Sequence, residues 1–239
     1  MRFPGFAIVP LGFWLSLACL PAPARASAVV IWPVDPVIKG GEQATALWLE
    51  NKGEAPVTLQ VRTFGWSQPA GEDKLDQQQQ VVASPPIAVV APGARQLVRL
   101  IRRSTDAAPE KAYRLLIDEL PPPPGAQQPG MVQARLTVQM RYSIPLFTYA
   151  AASAPPQLVA SVAAGPGGRV LTIRNTGAGH ARLTDLRLIA TGGREIVVRA
   201  GLAGYVLAGG TIAIPLPDGQ VGSVRVGVNG ADQVLGNRA

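Results

Sequence analysis

The sequence predicts an all-β chain built as two β-sandwiches in tandem, and three observations carry that expectation. The first is length: 239 residues exceed the ~100–200 of one ordinary domain and suit two. The second is composition, 47% hydrophobic and only 15% charged against a usual ~25%, which supplies cores and excludes charge-driven disorder. The third is rhythm. Val, Thr, Leu and Ile fill short runs between 26 glycines and 23 prolines, with neither helical periodicity nor a collagen repeat.

Residues 1–26 read as an export signal. Arg2 supplies positive charge, residues 6–20 are apolar apart from Pro10, Gly12 and Ser16, and Ala24-Arg25-Ala26 is a small-x-small cleavage site. A membrane anchor needs ~20 consecutive apolar residues; this run is shorter and ends in Pro21-Ala22-Pro23, so cleavage before Ser27 is expected, with no stable membrane insertion. A lipoprotein reading through Cys19 is disfavoured by Ser16, where an aliphatic residue is usual. Cleavage removes the one cysteine, so the mature chain enters an oxidising space without a disulfide. It also takes Arg2 and Arg25 from the 22 basic residues, leaving 20 against 15 acidic, a net +5. No run of five or six basic residues exists, so nucleic acid is not an expected partner.

The first sandwich is expected over residues 27–149, with strands at 29–32, 44–50, 57–66, 85–93, 96–101 and 113–120 separated by Gly, Pro and Asn-Lys-Gly-Glu turns. Residues 121–130 hold four consecutive prolines and two glycines and read as a connection. A strand over residues 131–147 follows, about twice the usual length. Val132, Ala134, Leu136, Val138, Met140, Tyr142, Ile144 and Leu146 share one of its faces, and Gln133, Arg135, Thr137, Gln139, Arg141 and Ser143 the other. That apolar row is longer than one small domain needs. It is either a central core strand or an edge offered to another chain. Residues 150–156 read as a linker, and residues 157–239 as a second sandwich with strands at 157–163, 169–174, 182–189, 195–199, 210–215 and 222–228.

Catalytic chemistry is not expected. The single histidine, His180, lies in an apparent turn and reads as a solvated residue, so neither a metal cluster nor a His-assisted nucleophile is available. No phosphate-binding loop, nucleotide fingerprint or nucleophile elbow occurs. No cofactor or metal is implied. Asp118 and Glu119 are adjacent on a strand and face opposite ways.

An ordered set of segments resembles the PapD-like periplasmic pilus-assembly chaperones: Leu47-Trp48-Leu49-Glu50-Asn51, Ser84-Pro85-Pro86, Ala91-Pro92-Gly93, Gln96-Leu97-Val98-Arg99-Leu100, Tyr113-Arg114-Leu115-Leu116, Glu119-Leu120-Pro121 and Ile144-Pro145-Leu146-Phe147. Ile31-Trp32-Pro33-Val34-Asp35-Pro36 and Tyr142-Ser143-Ile144-Pro145 look most like the archaic, Csu-type branch, and Leu171 through Gly177 resembles the family's asparagine-bearing hairpin. The resemblance implies two tandem immunoglobulin-like sandwiches, no enzymatic activity and no ATP. It implies a periplasmic location, pilus subunits and an outer-membrane usher as partners, and the long strand donated to a subunit that lacks its last strand. Val132, Ala134, Leu136, Val138 and Met140 would be the donors. The alternative is a structural pilus subunit or exported adhesin module, whose donor segment would sit near the mature N-terminus. The family's two carboxylate-gripping cations fall at Asp35 and Pro145 here, neither of which can serve, so Arg114 and Arg102 are the candidate anchors.

Overall fold

A computed structural model describes residues 28–104, 109–121, 139–165, 168–190, 192–216 and 222–236. The expected leader, and Val132, Ala134, Leu136 and Val138 of the donor row, lie outside the described residues. The first half contains β1 (Val29–Trp32), β2 (Val37–Ile38), β3 (Ala44–Asn51), β4 (Val57–Ser67), β5 (Lys74–Gln77), β6 (Val81–Ser84), β7 (Ile87–Val90), β8 (Arg95–Arg102), β9 (Glu110–Leu120) and β10 (Arg141–Tyr149). One sheet runs β1-β3-β8-β6; the facing sheet runs β2-β10-β9-β4-β5, with β7 also on β4. The second half contains β11 (Leu158–Gly165), β12 (Gly168–Asn175), β13 (Ala181–Ile189), β14 (Glu195–Val206), β15 (Thr211–Leu216), β16 (Ser223–Val228) and β17 (Ala231–Gly236), in sheets β11-β12-β15 and β14-β13-β16-β17.

Period-two alternation decides which side chains enter each core. Leu47 and Leu49 of β3, Leu59 and Val61 of β4, Val98 and Leu100 of β8, and Leu115 and Ile117 of β9 fill the first sandwich. Leu171, Ile173, Leu183, Ile214, Val224 and Val226 fill the second. Each half also ends a strand in a buried asparagine. Asn51 Nδ2 donates to the carbonyls of Ala55 (2.8 Å) and Val90 (2.9 Å), and its Oδ1 accepts from Gly53 N–H at 2.9 Å. Asn175 repeats this with Gly179 (2.7 Å), Val206 (3.1 Å) and Gly177 (2.9 Å), and also accepts from Gln157 N–H at 3.0 Å. Turn carbonyls that a hairpin would otherwise bury unpaired are thereby satisfied.

The structure corrects several strand expectations. β2, β5, β6 and β17 were not read from the sequence. The strand expected at 195–199 runs on to Val206, through Gly201 (φ +65°) and Gly204 (φ +145°), where its register with β13 shifts. Glycine at positive φ permits such bulges and hides the strand from a pattern search.

Candidate binding edge and cleft

β10 pairs with β9 along its length, but with β2 only at Phe147 and Thr148. Among the described residues, positions 141–146 have no neighbour on their other side. Pro145, which has no N–H to give a ladder, fits such an edge. Along the apolar face of β10 exposure falls from 43% at Met140 through 7% at Ile144 to 0% at Leu146. Among the described residues, the row therefore enters the first core at its C-terminal end, while Met140 stands exposed.

The entry to β10 is fastened by charge. Arg62 Nη2 donates to Asp118 at 2.7 Å, and Arg141 Nε donates to the other carboxylate oxygen. Burial alone would raise the Asp118 pKa, but the hydrogen bonds from Arg141 and Arg62 outweigh it and hold the carboxyl below its ordinary range. Tyr142 donates its hydroxyl proton to Glu119 at 3.1 Å. Burial first, and then the Glu119 carboxylate, push that hydroxyl from the ordinary 10.0 up to about 12.

Beside this edge lies a cleft of about 400 Å³, bounded by β1, β10 and the second sandwich, with Arg114, Ile144, Arg182 and Tyr205 in its wall. Arg114 stands on β9, opposite Pro145 in register. Arg114 thus lies on the strand adjacent to position 145, ~4.8 Å away in the pairing direction. Its guanidinium lies 3.6 Å from the Trp66 ring centroid and 5.5 Å from that of Tyr205. Its nearest carboxylate, Asp73, is at 3.5 Å. Burial lowers the Arg114 pKa from its ordinary value, opposed by the charge of Asp73 and by Tyr205. The rings cover the guanidinium face, and one of its edge donors, Nη2, reaches Asp73 Oδ2 at 3.5 Å.

The other candidate, Arg102, is placed elsewhere. Its Nη1 donates to the Tyr149 carbonyl (2.8 Å) and its Nη2 to the Glu42 carbonyl (2.7 Å), so it ties two chain segments together and does not line the cleft. Asp35 and Pro145 both line it, without supplying positive charge.

The halves meet in a third cluster, Trp66, Phe147, Tyr149, Tyr205 and Leu207. The solvated-turn reading of His180 is corrected here. Its ring stacks on Phe147 at 3.5 Å and 1°, its N–H donates to Glu110 at 2.9 Å, and its Nδ1 lies 2.9 Å from Glu110 Oε2. Gln68 completes the joint: its Nε2 donates to the Tyr205 carbonyl and its Oε1 accepts from Leu207 N–H, both at 2.9 Å. The partners of His180 are 33 and 70 positions away in the chain, so local sequence context contained no sign of them.

Residues 28–152 match the family described as pili and flagellar-assembly chaperone, PapD N-terminal domain. That is more than half of the chain, which belongs to this family of assembly chaperones, a non-enzymatic one. The chain is similar to the solved CsuC–CsuE chaperone–tip adhesion subunit pre-assembly complex from archaic chaperone-usher Csu pili of Acinetobacter baumannii: 28% identity, TM-score 0.70, covering 87% of this chain and 97% of that one. It also shares its fold with the Pseudomonas aeruginosa CupB2 chaperone (17% identity, TM-score 0.60, 87% and 100% covered). A third likeness is to the Salmonella enterica SafA pilin–SafB chaperone complex (17%, 0.64, 90% and 98%). No curated protein sequence matches the chain. The expected resemblance to Csu-type chaperones is borne out.

Proposed function

We propose that the protein captures pilus subunits in the periplasm by lending them the segment that precedes β10, and delivers them to an outer-membrane usher. The observation that carries this reading is the exposure gradient along the β10 apolar face, together with the unpartnered edge beside it. A subunit groove that lacks a strand gains backbone hydrogen bonds from such an edge and apolar fillers from Met140 and the residues before it. Val132, Ala134, Leu136 and Val138 continue the same period in sequence. Arg114, whose guanidinium lies against the rings of Trp66 and Tyr205 and reaches Asp73 at 3.5 Å, grips the subunit's terminal carboxylate with its remaining donors. The leader-like residues 1–26 support a periplasmic site of action, and among the described residues no helix is long and apolar enough to cross a membrane.

Co-expression with a subunit from the same gene cluster tests the reading. A one-to-one complex recovered from the periplasm is expected, and a subunit equally soluble without the chaperone would contradict it. Arg114→Gln should weaken capture roughly tenfold, the worth of one charge-assisted hydrogen bond. Arg102→Gln should instead lower stability and leave capture intact.

A further inference from the structure

The Arg114 anchor already has a carboxylate of its own. Asp73 stands just before β5, and its two oxygens have different partners: Oδ1 accepts from Gln68 Nε2 at 2.9 Å, and Oδ2 lies 3.5 Å from Arg114 Nη2. A charge-assisted N–H···O bond closes to about 2.7–2.9 Å, so the contact with Arg114 is a loose one. Exposure divides the pair unequally. The Asp73 side chain is 50% exposed and the Arg114 side chain 14%, with its guanidinium held against the Trp66 and Tyr205 rings. Asp73 can turn into water at little cost, and Arg114 cannot follow it. The Gln68 amide that holds Asp73 is itself fixed to the Tyr205 carbonyl and the Leu207 N–H, so the joint between the sandwiches keeps the acid beside the arginine. Arg114 lines the cleft and Asp73 does not, so Asp73 and an anion in the cleft address the guanidinium from different sides.

Two carboxylates on one guanidinium repel each other and share its charge. A subunit terminus entering the cleft therefore meets a cation that Asp73 has partly neutralised. We infer that Asp73 is the resident counter-ion of the anchor: it weakens the hold of Arg114 on a subunit's terminal carboxylate and takes the guanidinium back as that carboxylate leaves. The inference rests on the chaperone reading above, and adds to it a residue that sets how readily a captured subunit is released. The burial of Arg114 explains why a counter-ion is there at all. A cation packed among rings is costly without an anion nearby, and burial lowers the Arg114 pKa while the charge of Asp73 raises it. Without the Asp73 charge the incoming carboxylate becomes the nearest counter-ion, so it is bound more tightly and given up more slowly.

Asp73→Asn separates the charge from the contact, because the amide oxygen can still accept from Gln68 Nε2. The full mature chain is purified as its complex with a subunit from the same gene cluster. Release of the subunit is timed by exchange onto an excess of tagged wild-type chaperone, with thermal unfolding of each free variant as a control for folding. Asp73→Asn should slow release about two- to fivefold, the size expected of a half-exposed charge pair, and Arg114→Gln should speed it. Glu72→Gln removes the same charge from the exposed neighbouring residue and should leave release unchanged. Combined with Arg114→Gln, Asp73→Asn should lose its effect. Release that is unchanged or faster in Asp73→Asn, equally slowed in Glu72→Gln, or still slowed by Asp73→Asn in the double variant overturns the role of Asp73; if Arg114→Gln alone speeds release, the chaperone reading stands. Release that is unchanged in Arg114→Gln overturns the anchor and this inference with it, and a chain that forms no complex with the subunit overturns the chaperone reading itself.

Discussion

The asparagine hairpins of the two sandwiches use the same chemistry and stand in different surroundings. In each, the side-chain amide donates to the carbonyl four residues on and to a valine carbonyl of the facing sheet, Val90 in one half and Val206 in the other. Four residues after Asn51 stands Ala55, exposed; four after Asn175 stands Gly179. A Cβ at 179 would lie 1.8 Å from the Ala154 carbonyl oxygen. At Gly177 it would lie 2.5 Å from the Gln157 nitrogen. The first hairpin ends in solvent, whereas the second is built into the joint, where the next residue, His180, reaches Glu110 and Phe147. What differs is not the turn but what packs on it, and that fixes which residues it tolerates.

Breaking this comparison at its sharpest point gives the largest effect. Gly179→Ala must push residue 154 aside and should cost roughly 2–4 kcal/mol, read as a drop in thermal midpoint, while Ala55→Gly in the first hairpin should change stability by only a few tenths of a kcal/mol. Equal effects would show that the surroundings do not matter. Next come the asparagines. Asn51→Ala and Asn175→Ala each strand two carbonyls and should cost about 2–3 kcal/mol, with Asn175→Ala the worse by denaturant unfolding, because it also strands Gln157 N–H. The smallest effect lies at the β10 entry. The raised Tyr142 pKa means that its neutral hydroxyl stabilises the fold fully below pH 10.0, and that this contribution fades as pH climbs from there to about 12. Tyr142→Phe should flatten that part of the stability profile, and a profile unchanged by the substitution would remove Tyr142 as its source.

The same contrast explains what the sequence could tell. Leu47, Leu49, Leu115 and Ile117 announce their strands because alternation is local, and most first-sandwich strands were legible for that reason. β5, Lys74–Gln77, was not: all four of its residues are exposed, and no apolar period marks it. In the cleft, Arg114 is legible in the sequence as a strand cation, while its register place opposite Pro145 shows only in the fold. His180 and Gln68 were not legible, since their significance arises only where residues from the two halves meet. No spacing rule reports a contact between sandwiches.

The central claim is that the apolar row before β10 is offered to another protein and not spent on the first core, and Val138→Asp tests it most directly. One preparation is divided between thermal unfolding of the chaperone alone and capture of a pilus subunit. The account predicts nearly unchanged unfolding and failed capture, because the carboxylate stays hydrated in the free chaperone and must be desolvated in an apolar groove on binding. A grossly unfolded variant would make the row a core element, and a folded variant that still captures its subunit would make it irrelevant to binding; either contradicts the account.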